Sequence, residues 1–393
     1  MAAMDETPIY LDAHATTPVD PRVLEAMLPY FTREFGNAAS RNHAFGWRAD
    51  SAVEEARERV AAAIGASAKE IVFTSGATES NNLAILGAAE AARAGGRGDG
   101  VVTSAIEHPA VLDPCRQLAK RGFRVTVLPV DEEGLVDPDA LAGALDRETA
   151  LVSIMTANNE VGTVEPIRDL VRVTRERSGA LFHTDAVQAL GKLEVDVRDS
   201  DVDLLSLSGH KIHGPKGIGA LRVRRRPLAR LAPIVFGGGH ERGLRSGTLN
   251  VPGIVGLGKA AELAAAERNV DATRMKSLRD RLLLGLRAGV PDLELNGHAA
   301  RRLPNNLNVS FPGVESEDLL REIPEIAVST GAACSSASLT PSHVIAALGL
   351  GEARAQTSVR FGLTRFTTED DIERATAAVL RGVRALRETK GTA

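Results

Sequence analysis

The pattern of hydrophobic and polar positions predicts an α/β fold. An amphipathic stretch at residues 51–64 leads into short apolar runs that alternate with helical patterns. We interpret these runs as strands at residues 71–75, 101–104, 123–130, 151–156, 180–184, 203–208 and 219–223. Alternating strands and helices are typical of a mostly parallel sheet that is covered on both faces. Ligands of such sheets bind beyond the carboxyl ends of the strands.

The pattern changes near residue 255. Two long helical stretches, at residues 255–267 and 273–288, precede short strands around residues 307–311 and a last helix near residues 369–387. We interpret this part as a smaller α+β domain. The prediction is therefore a large α/β domain at residues 16–260, which carries the candidate cofactor site, and a small domain at residues 261–393 together with residues 1–15.

Composition favours small-molecule chemistry in the cytoplasm. The net charge is −4 with no basic block, which gives little reason to expect a nucleic acid or an anionic membrane as partner. No run of about 18 apolar residues occurs, and acidic residues stand near the start, where a signal peptide would be basic. The two cysteines, Cys115 and Cys334, lack metal-ligand or redox-pair spacing, so we expect neither a metal site nor a disulfide.

Two motifs at predicted strand ends offer groups for a phosphorylated ring. Residues 74–81 place hydroxyls and free amides where a helix begins, which suits a phosphate, although ordinary helix capping explains the same residues. In residues 182–188, Asp185 could hold a protonated pyridine nitrogen and Gln188 a phenolic oxygen. The alternative is that Asp185 only caps the next helix.

A third motif, at residues 206–217, contains two lysines among glycines. A lysine at the end of a buried strand is well placed to form a Schiff base with an aldehyde cofactor. Lys216 could serve on chemistry alone, but we favour Lys211 because it directly follows the strand. Ser208 and His210 could add contacts to a phosphate.

Together these motifs resemble the class V aminotransferase family of fold-type I pyridoxal-phosphate enzymes, specifically cysteine desulfurases of the NifS/IscS type. The resemblance runs from Tyr10 to Glu369. It implies pyridoxal 5'-phosphate as cofactor, with Lys211 as the Schiff-base lysine and Asp185 on the ring nitrogen. The remaining implied contacts are to the phosphate, from Ala77, Thr78, Ser208 and His210, and to the ring-oxygen side, from Asn159 and Gln188.

The resemblance also implies roles for three residues that are ambiguous alone. His108 resembles the histidine that stacks on the cofactor ring and moves protons, although a lone histidine is more often structural. Arg360 matches an arginine that clamps the substrate carboxylate, where the alternative is a surface arginine in an ion pair. Thr248 ends a glycine-rich stretch that is either a mobile loop or a homodimer element whose threonine reaches the phosphate of the neighbouring subunit.

Cys334 carries the prediction of sulfur chemistry. It lies in a run of small residues, 329–338, which resembles the active loop of group I desulfurases and suits a mobile thiolate nucleophile. The alternative, a small buried hydrophobic residue, we assign to Cys115 in a predicted amphipathic helix. The expected activity converts L-cysteine to L-alanine and leaves a persulfide on Cys334, which supplies sulfur for iron–sulfur clusters or other sulfur-containing cofactors.

Several alternatives stay open at this point. An aminotransferase or a selenocysteine lyase could use the same scaffold, and a non-catalytic sulfur carrier could retain the fold. The chain departs from the familiar patterns at Ala13, His14 and Ala38, which leaves substrate entry open. It also ends without the longer tail by which housekeeping members dock their scaffold protein, so the sulfur-acceptor protein, an iron–sulfur scaffold or another, is not predicted.

Overall fold

A large, mostly parallel sheet forms the centre of the fold, as predicted. The computed structural model describes residues 7–225, 229–330 and 342–391. In chain order, the strands of these residues are β1 (Ile9–Tyr10), β2 (Ile71–Thr74), β3 (Gly100–Ser104), β4 (Arg124–Leu128), β5 (Thr149–Ser153), β6 (Leu181–Asp185), β7 (Leu204–Ser208), β8 (Gly219–Val223), β9 (Glu294–Leu295), β10 (Asn306–Ser310), β11 (Ile326–Ala327) and β12 (Ser358–Gly362).

The large sheet has the spatial order β2-β8-β7-β6-β5-β3-β4 within the described residues. All neighbouring pairs are parallel except those that involve β8, which runs antiparallel to both β2 and β7. The other six strands therefore end at the same edge. Most of these strands are buried along their whole length, whereas the edge strand β4 is largely exposed and shorter than predicted.

Helices cover both faces of the large sheet. Successive strand residues point to opposite faces: Ile71 and Phe73 pack in the core under α3 and α9, and Val72 packs in the core under α4 and α5. The helices of the described residues are α1 (Pro21–Met27), α2 (Pro29–Thr32), α3 (Ala44–Ala63), α4 (Ala77–Ala94), α5 (Pro109–Lys120), α6 (Pro138–Ala144), α7 (Ile167–Arg177), α8 (Val197–Ser200), α9 (Val251–Gly289), α10 (Ser316–Glu322), α11 (His343–Ala347), α12 (Glu352–Gln356) and α13 (Glu369–Gly391).

A second core lies around a small antiparallel sheet of β9, β10 and β12. The helices α10 and α13 and the last part of α9 pack on it. The N-terminal segment belongs to this core, because Ile9 and Leu11 are buried in it and β1 pairs with β11. This packing agrees with the grouping of residues 1–15 with the small domain.

Helix α9 differs from the prediction. The structure has one helix of 39 residues where two helices were predicted, at residues 255–267 and 273–288. Neither proline nor glycine occurs between the two stretches, so nothing in the backbone requires a break. The helix passes from one core to the other between Ala264 and Met275. The predicted boundary at residues 260 and 261 falls inside it, and the division into two domains stays a prediction.

No helix in residues 7–225, 229–330 or 342–391 combines the length and apolar character needed to cross a membrane.

The contact between α3 and α9 depends on a glycine. A Cβ atom added at Gly258 would lie 2.7 Å from both the Cα and the Cβ atoms of Ala56 on α3. Such separations are far below van der Waals contact, and a backbone atom cannot rotate away. The two helices therefore approach as closely as they do because this position has no side chain.

We predict that Gly258→Ala lowers the free energy of unfolding by about 1–3 kcal/mol, because α3 and α9 must separate. The matched control is Gly143→Ala in α6, where an added Cβ meets nothing within 4 Å; it should be neutral or stabilising by about 0.4–1 kcal/mol. Chemical unfolding followed by circular dichroism measures both. Equal stability of the two variants would contradict this account of the packing.

Candidate active site

The structure brings most of the predicted site residues to the carboxyl edge of the large sheet. Asp185 and Ser208 are the last residues of β6 and β7, and Ala77 follows β2 by three residues. His108 and Asn159 lie in the segments that follow β3 and β5. Five separate parts of the sequence therefore meet at one edge because the strands that precede them are parallel.

The first turn of α4 is the candidate anion site, and it lies next to Ser208. The helix begins after Gly76 with no side-chain cap, so the amides of its first turn lack partners among the described residues. Gly219 of β8 pairs with Thr74 on one side and with Ser208 on the other. The ends of β2 and β7 are thus one strand apart, which places the Ser208 hydroxyl beside the helix that begins at Ala77 and Thr78.

Asp185 is buried, with 7% of its surface exposed, and is held at both carboxylate oxygens. Oδ1 accepts a hydrogen bond from the Val187 amide at 3.0 Å, which is the capping-type contact considered as the alternative. Oδ2 accepts a second bond from Nδ2 of Asn81 at 2.7 Å. Asn81 lies on α4, so it couples the helix of the anion site to the carboxylate. No feature of the sequence singled out Asn81.

Gln188 is engaged with His14. Its Oε1 lies 3.0 Å from Nδ1 of His14, and its Nε2 donates to the His14 carbonyl at 3.1 Å. The second N–H of the amide remains for another acceptor. Burial lowers the pKa of His14 well below its ordinary value, and its Nε2 atom is buried without a partner within the described part of the chain. His14 was noted only as a departure from the familiar pattern, and it lies at the site.

Lys211, not Lys216, lies at the sheet edge. It ends the 3₁₀ turn Gly209–Lys211 that directly follows β7, and its amine donates to the carbonyl oxygens of Ala15, at 2.7 Å, and of His14. Lys216 is exposed in the next turn. The geometry therefore favours Lys211 as the Schiff-base residue, a role that stays a prediction.

His108 caps helix α5 and lies within electrostatic reach of the other groups. Its Nδ1 accepts a hydrogen bond from the Ala110 amide at 3.0 Å, so the neutral ring carries its proton on Nε2. Burial lowers its pKa, the Asp185 carboxylate raises it, and the Lys211 ammonium lowers it. The histidine is thus structural as a helix cap, while its Nε2–H, which has no partner within the described ranges, remains available to a ligand.

His210 is held beside the same turn. Its Nδ1 lies 3.1 Å from the hydroxyl of Thr16, and its carbonyl accepts from both the amide and the hydroxyl of Thr17. Burial, followed by the charges of Lys211 and Lys216, lowers the pKa of His210 to about 4. The ring is therefore neutral at physiological pH and can contact a phosphate only through a hydrogen bond.

Arg360 is a buried arginine with an acidic partner. It lies on β12 with 1% of its surface exposed. One terminal nitrogen donates to the Asn159 carbonyl at 3.1 Å and the other to Oδ1 of Asp12 at 2.9 Å, while Nε has no partner among the described residues. The alternative of a surface ion pair does not apply. Asp12, which no sequence pattern selected, joins the site through this contact.

Thr248 is exposed in the loop before α9. Two ion pairs attach that loop to helices α3 and α4. Glu241 pairs with Arg57 in the interior at 2.8 Å, and Arg245 pairs with Glu79 on α4, also at 2.8 Å. Thr248 follows Arg245 by three residues, so its loop is anchored next to the anion site and not loose.

Cys334 lies outside the described residues. The residues on either side of residues 331–341 are attached to the site: Ser329 forms backbone hydrogen bonds with Arg360, and Ser342 donates to the Glu160 carboxylate. His343 donates to the Glu107 carbonyl at 2.9 Å. Cys115 is buried in α5, as predicted, and burial raises the pKa of its thiol to about 12, which makes it a poor nucleophile.

Comparison with known proteins identifies the family. Residues 9–375 match the family described as aminotransferase class V. The chain belongs to this family. A cysteine desulfurase IscS of Anaeromyxobacter sp. (strain Fw109-5) is 59% identical over 381 residues, which cover 97% of this chain and 94% of the relative.

Solved structures of other proteins share the fold. A NifS-like protein has a TM-score of 0.89 at 39% identity and covers 95% of this chain and 99% of its own. A structure described as SspA in complex with cysteine has a TM-score of 0.79 at 39% identity. The match covers 91% of this chain and 99% of the SspA chain. The predicted resemblance and the predicted fold class are confirmed.

Class V enzymes use pyridoxal phosphate, and the residues of this site fit it. The group needs an anion site, an amine for its aldehyde and a carboxylate for its ring nitrogen. The uncapped first turn of α4, the amine of Lys211 and the buried carboxylate of Asp185 supply these three at one edge of the sheet. The buried Nε2 of His14, which has no partner in the described part of the chain, adds a further polar atom to the same place.

The charges around His108 predict opposite changes of its pKa in two variants. Asp185→Asn should lower the pKa of His108 further, because it removes an attractive carboxylate, and Lys211→Met should raise it, because it removes a repulsive cation. NMR titration of the histidine-labelled apoprotein measures both, with the signal assigned by His108→Gln. Glu148→Gln, at the amino end of β5, is the control and should change nothing. A His108 pKa that rises in Asp185→Asn would contradict the geometry.

Proposed function

We propose that this chain is a pyridoxal-phosphate-dependent cysteine desulfurase. The observation that carries the proposal is that Arg360 and Lys211 contact one short N-terminal segment, at Asp12 and at Ala15. His14 of the same segment contacts Gln188, which follows Asp185 by three residues. The name of the relative at 59% identity supports the same activity. The similar structure of SspA in complex with cysteine supports cysteine as the substrate.

The cofactor residues divide the work among the strand ends. The first turn of α4, at Ala77 and Thr78, with Ser208 and His210, would hold the phosphate, and Thr248 would contribute from the partner subunit. Asp185 would hold the ring nitrogen, Asn159 and Gln188 the ring oxygen, and His108 would contact the ring face. When bound, the cofactor supplies an electron sink adjacent to the α-carbon of the amino acid.

The other residues act on the amino acid itself. Arg360 binds the carboxylate of cysteine through its guanidinium, whose buried Nε and terminal nitrogens offer several donors. Lys211 holds the cofactor and then removes and returns the proton at the α-carbon. His108, neutral because burial lowers its pKa, moves a proton at Nε2 as the sulfur departs.

Cys334 accepts the sulfur. Its thiolate attacks the sulfur of cysteine, the carbon–sulfur bond breaks, and a sulfur–sulfur bond forms as the persulfide. The carbon skeleton takes up protons and leaves as L-alanine. The attachment of Ser329 to Arg360 and of Ser342 to Glu160 supports this role, because both flanks of the cysteine segment begin at the substrate site.

The persulfide then passes to an acceptor protein for iron–sulfur clusters or another sulfur-containing cofactor. We propose that this takes place in the cytoplasm, where reduced thiols persist. The aminotransferase and selenocysteine lyase alternatives receive less support, because the relative at 59% identity is named a cysteine desulfurase. A non-catalytic carrier would not need Lys211, Asp185 and His108 together.

We further propose that the enzyme is a homodimer. Residues 24–47, the N-terminal apolar segment, carry six exposed large hydrophobic residues: Leu24, Leu28, Phe31, Phe35, Phe45 and Trp47. The rings of Phe35 and Phe45 are 5.2 Å apart, so at least these two form one surface. Exposed apolar surface of this kind marks a protein interface, and the exposed Thr248 has a role only if a second chain approaches.

We predict that Cys334→Ala separates cofactor chemistry from sulfur chemistry. The variant should bind pyridoxal phosphate and respond spectrally to cysteine, because Lys211, Asp185 and Arg360 are intact, but it should produce no sulfide. Cys115→Ala is the matched control and should keep full turnover with at most a small packing loss. Sulfide and alanine are measured with a reductant present. Full desulfuration by Cys334→Ala would contradict the persulfide role of Cys334 and favour the lyase or aminotransferase alternative.

We predict that the double variant Phe35→Glu, Trp47→Glu dissociates the dimer, because two carboxylates would be buried at the interface. Val270→Glu, at a residue of α9 that is 72% exposed, is the control and should remain dimeric. Sedimentation velocity at micromolar concentration distinguishes the two. An unaltered chain that sediments as a monomer and is fully active would contradict both the dimer and the role of Thr248.

A further inference from the structure

Lys192 is a lysine beside the site to which the proposed reaction assigns no role. It follows β6 by seven residues, in a turn where its own amide donates to the Ala189 carbonyl at 3.0 Å. Gly191 makes this turn possible because its φ is +77°, in the left-handed region that favours glycine. The turn belongs to the same segment as Asp185 and Gln188.

The side chain of Lys192 contacts the backbone of Lys211. Its Nζ donates to the Lys211 carbonyl oxygen at 2.6 Å, a short hydrogen bond from a partly buried amine. This bond connects the segment that carries Asp185 and Gln188 to the turn that carries Lys211. The two segments supply the ring contacts and the Schiff-base amine, so the bond spans the two halves of the cofactor site.

The electrostatic surroundings of Lys192 are unfavourable to a cation. No carboxylate oxygen of the described residues lies within 4.0 Å of its amine, and the one nearby acid that lines the same small cavity, Asp271, pairs with Arg365 at 2.8 Å. Burial, with the charges of Lys211 and Arg365, lowers the pKa of Lys192 to about 7. A lysine in such a place costs stability unless its contact serves the protein.

The cavity beside the amine is small. Lys192, Lys211, Asp271 and Arg365 are among the residues around a volume of about 20 Å³, which has room for roughly one water molecule. Because so little empty space adjoins the amine, an apolar side chain as long as lysine would occupy the space of Lys192 but could not form its hydrogen bond. This makes the contribution of the bond separable from that of the packing.

We propose that Lys192 is a positioning residue for Lys211: its hydrogen bond to the Lys211 carbonyl fixes the turn that presents the Lys211 amine to the cofactor aldehyde. Because it acts on the backbone, the effect falls on how Lys211 meets the aldehyde. Lys192 does not touch the phosphate contacts at α4 and Ser208. The one proposed phosphate contact in the same turn, His210, is held separately by Thr16 and Thr17, so the affinity for phosphate should be kept. The inference rests on the proposed function, since it presumes that Lys211 binds the cofactor.

The experiment first locates the cofactor in the unaltered enzyme. Pyridoxal phosphate is bound, the Schiff base is reduced with borohydride, and peptide mass spectrometry finds the labelled lysine. Label on Lys216, or on no lysine, overturns the proposed cofactor site and this inference with it. Label on Lys211 supports the proposed cofactor site, and the Lys192 variants then test the inference. Failure of the proposed function and failure of the inference are therefore distinguishable.

Lys192→Met is then compared with the unaltered apoprotein. The apparent dissociation constant of pyridoxal phosphate, followed by the visible band, should rise about tenfold, the loss expected for one such hydrogen bond. The dissociation constant of inorganic phosphate, measured by competition, should stay within about twofold. Lys192→Arg keeps a donor and should restore most of the affinity. Lys259→Met, which removes a half-buried lysine of α9 paired with Glu262, should change neither constant.

Three outcomes overturn the inference. The first is that Lys192→Met binds pyridoxal phosphate as tightly as the unaltered protein. The second is that this variant loses phosphate affinity and thermal stability to the same extent as it loses affinity for the cofactor, and the third is that Lys192→Arg does not restore binding. The second outcome would mean that Lys192 only stabilises the fold. If Lys192→Met does not fold, Lys192→Leu carries the same comparison, because it also removes the donor and leaves an apolar side chain in the space.

Discussion

The common direction of six strands in the large sheet is the constraint on which the site depends. Because β2, β3, β5, β6 and β7 all end at one edge, residues from five separate parts of the chain meet there. The antiparallel strand β8 contributes by separating β2 from β7, so that Gly219 lies between the anion site and Ser208. Reversal of any one of these strands would send its polar residue to the opposite edge.

Hydrogen bonds between the segments convert this convergence into a defined site. Asn81 couples α4 to Asp185, Gln188 couples β6 to His14, and Lys192 couples the same segment to Lys211. Arg360 performs the equivalent task between the two cores, because it lies on β12 and reaches both Asn159 and Asp12. Burial of the Arg360 charge without an acidic partner would be costly. Asp12 therefore stabilises the guanidinium in the position that the substrate carboxylate would use.

The sequence was sufficient to predict the parallel sheet and most of the residues that meet at its carboxyl edge, and its failures have physical causes. Strand ends are local features, so Asp185, Ser208 and Lys211 could be selected from the apolar runs that precede them. Asp12, His14, Asn81 and Lys192 could not, because each acts through a partner that is distant in sequence. Helix α9 was divided in two because its buried face changes from one core to the other, which interrupts the periodicity of a helix that is itself continuous.

The central claim is that cysteine gives up its sulfur to Cys334 at a site built on Lys211. A single-turnover reaction tests it most directly: the holoenzyme is mixed with one equivalent of L-cysteine without reductant, and the protein is then digested for mass spectrometry. We expect one alanine per active site and one added sulfur atom on the peptide that contains Cys334. A thiol reductant should remove this sulfur. Release of a keto acid in place of alanine, or added sulfur on the peptide of Cys115, would contradict it.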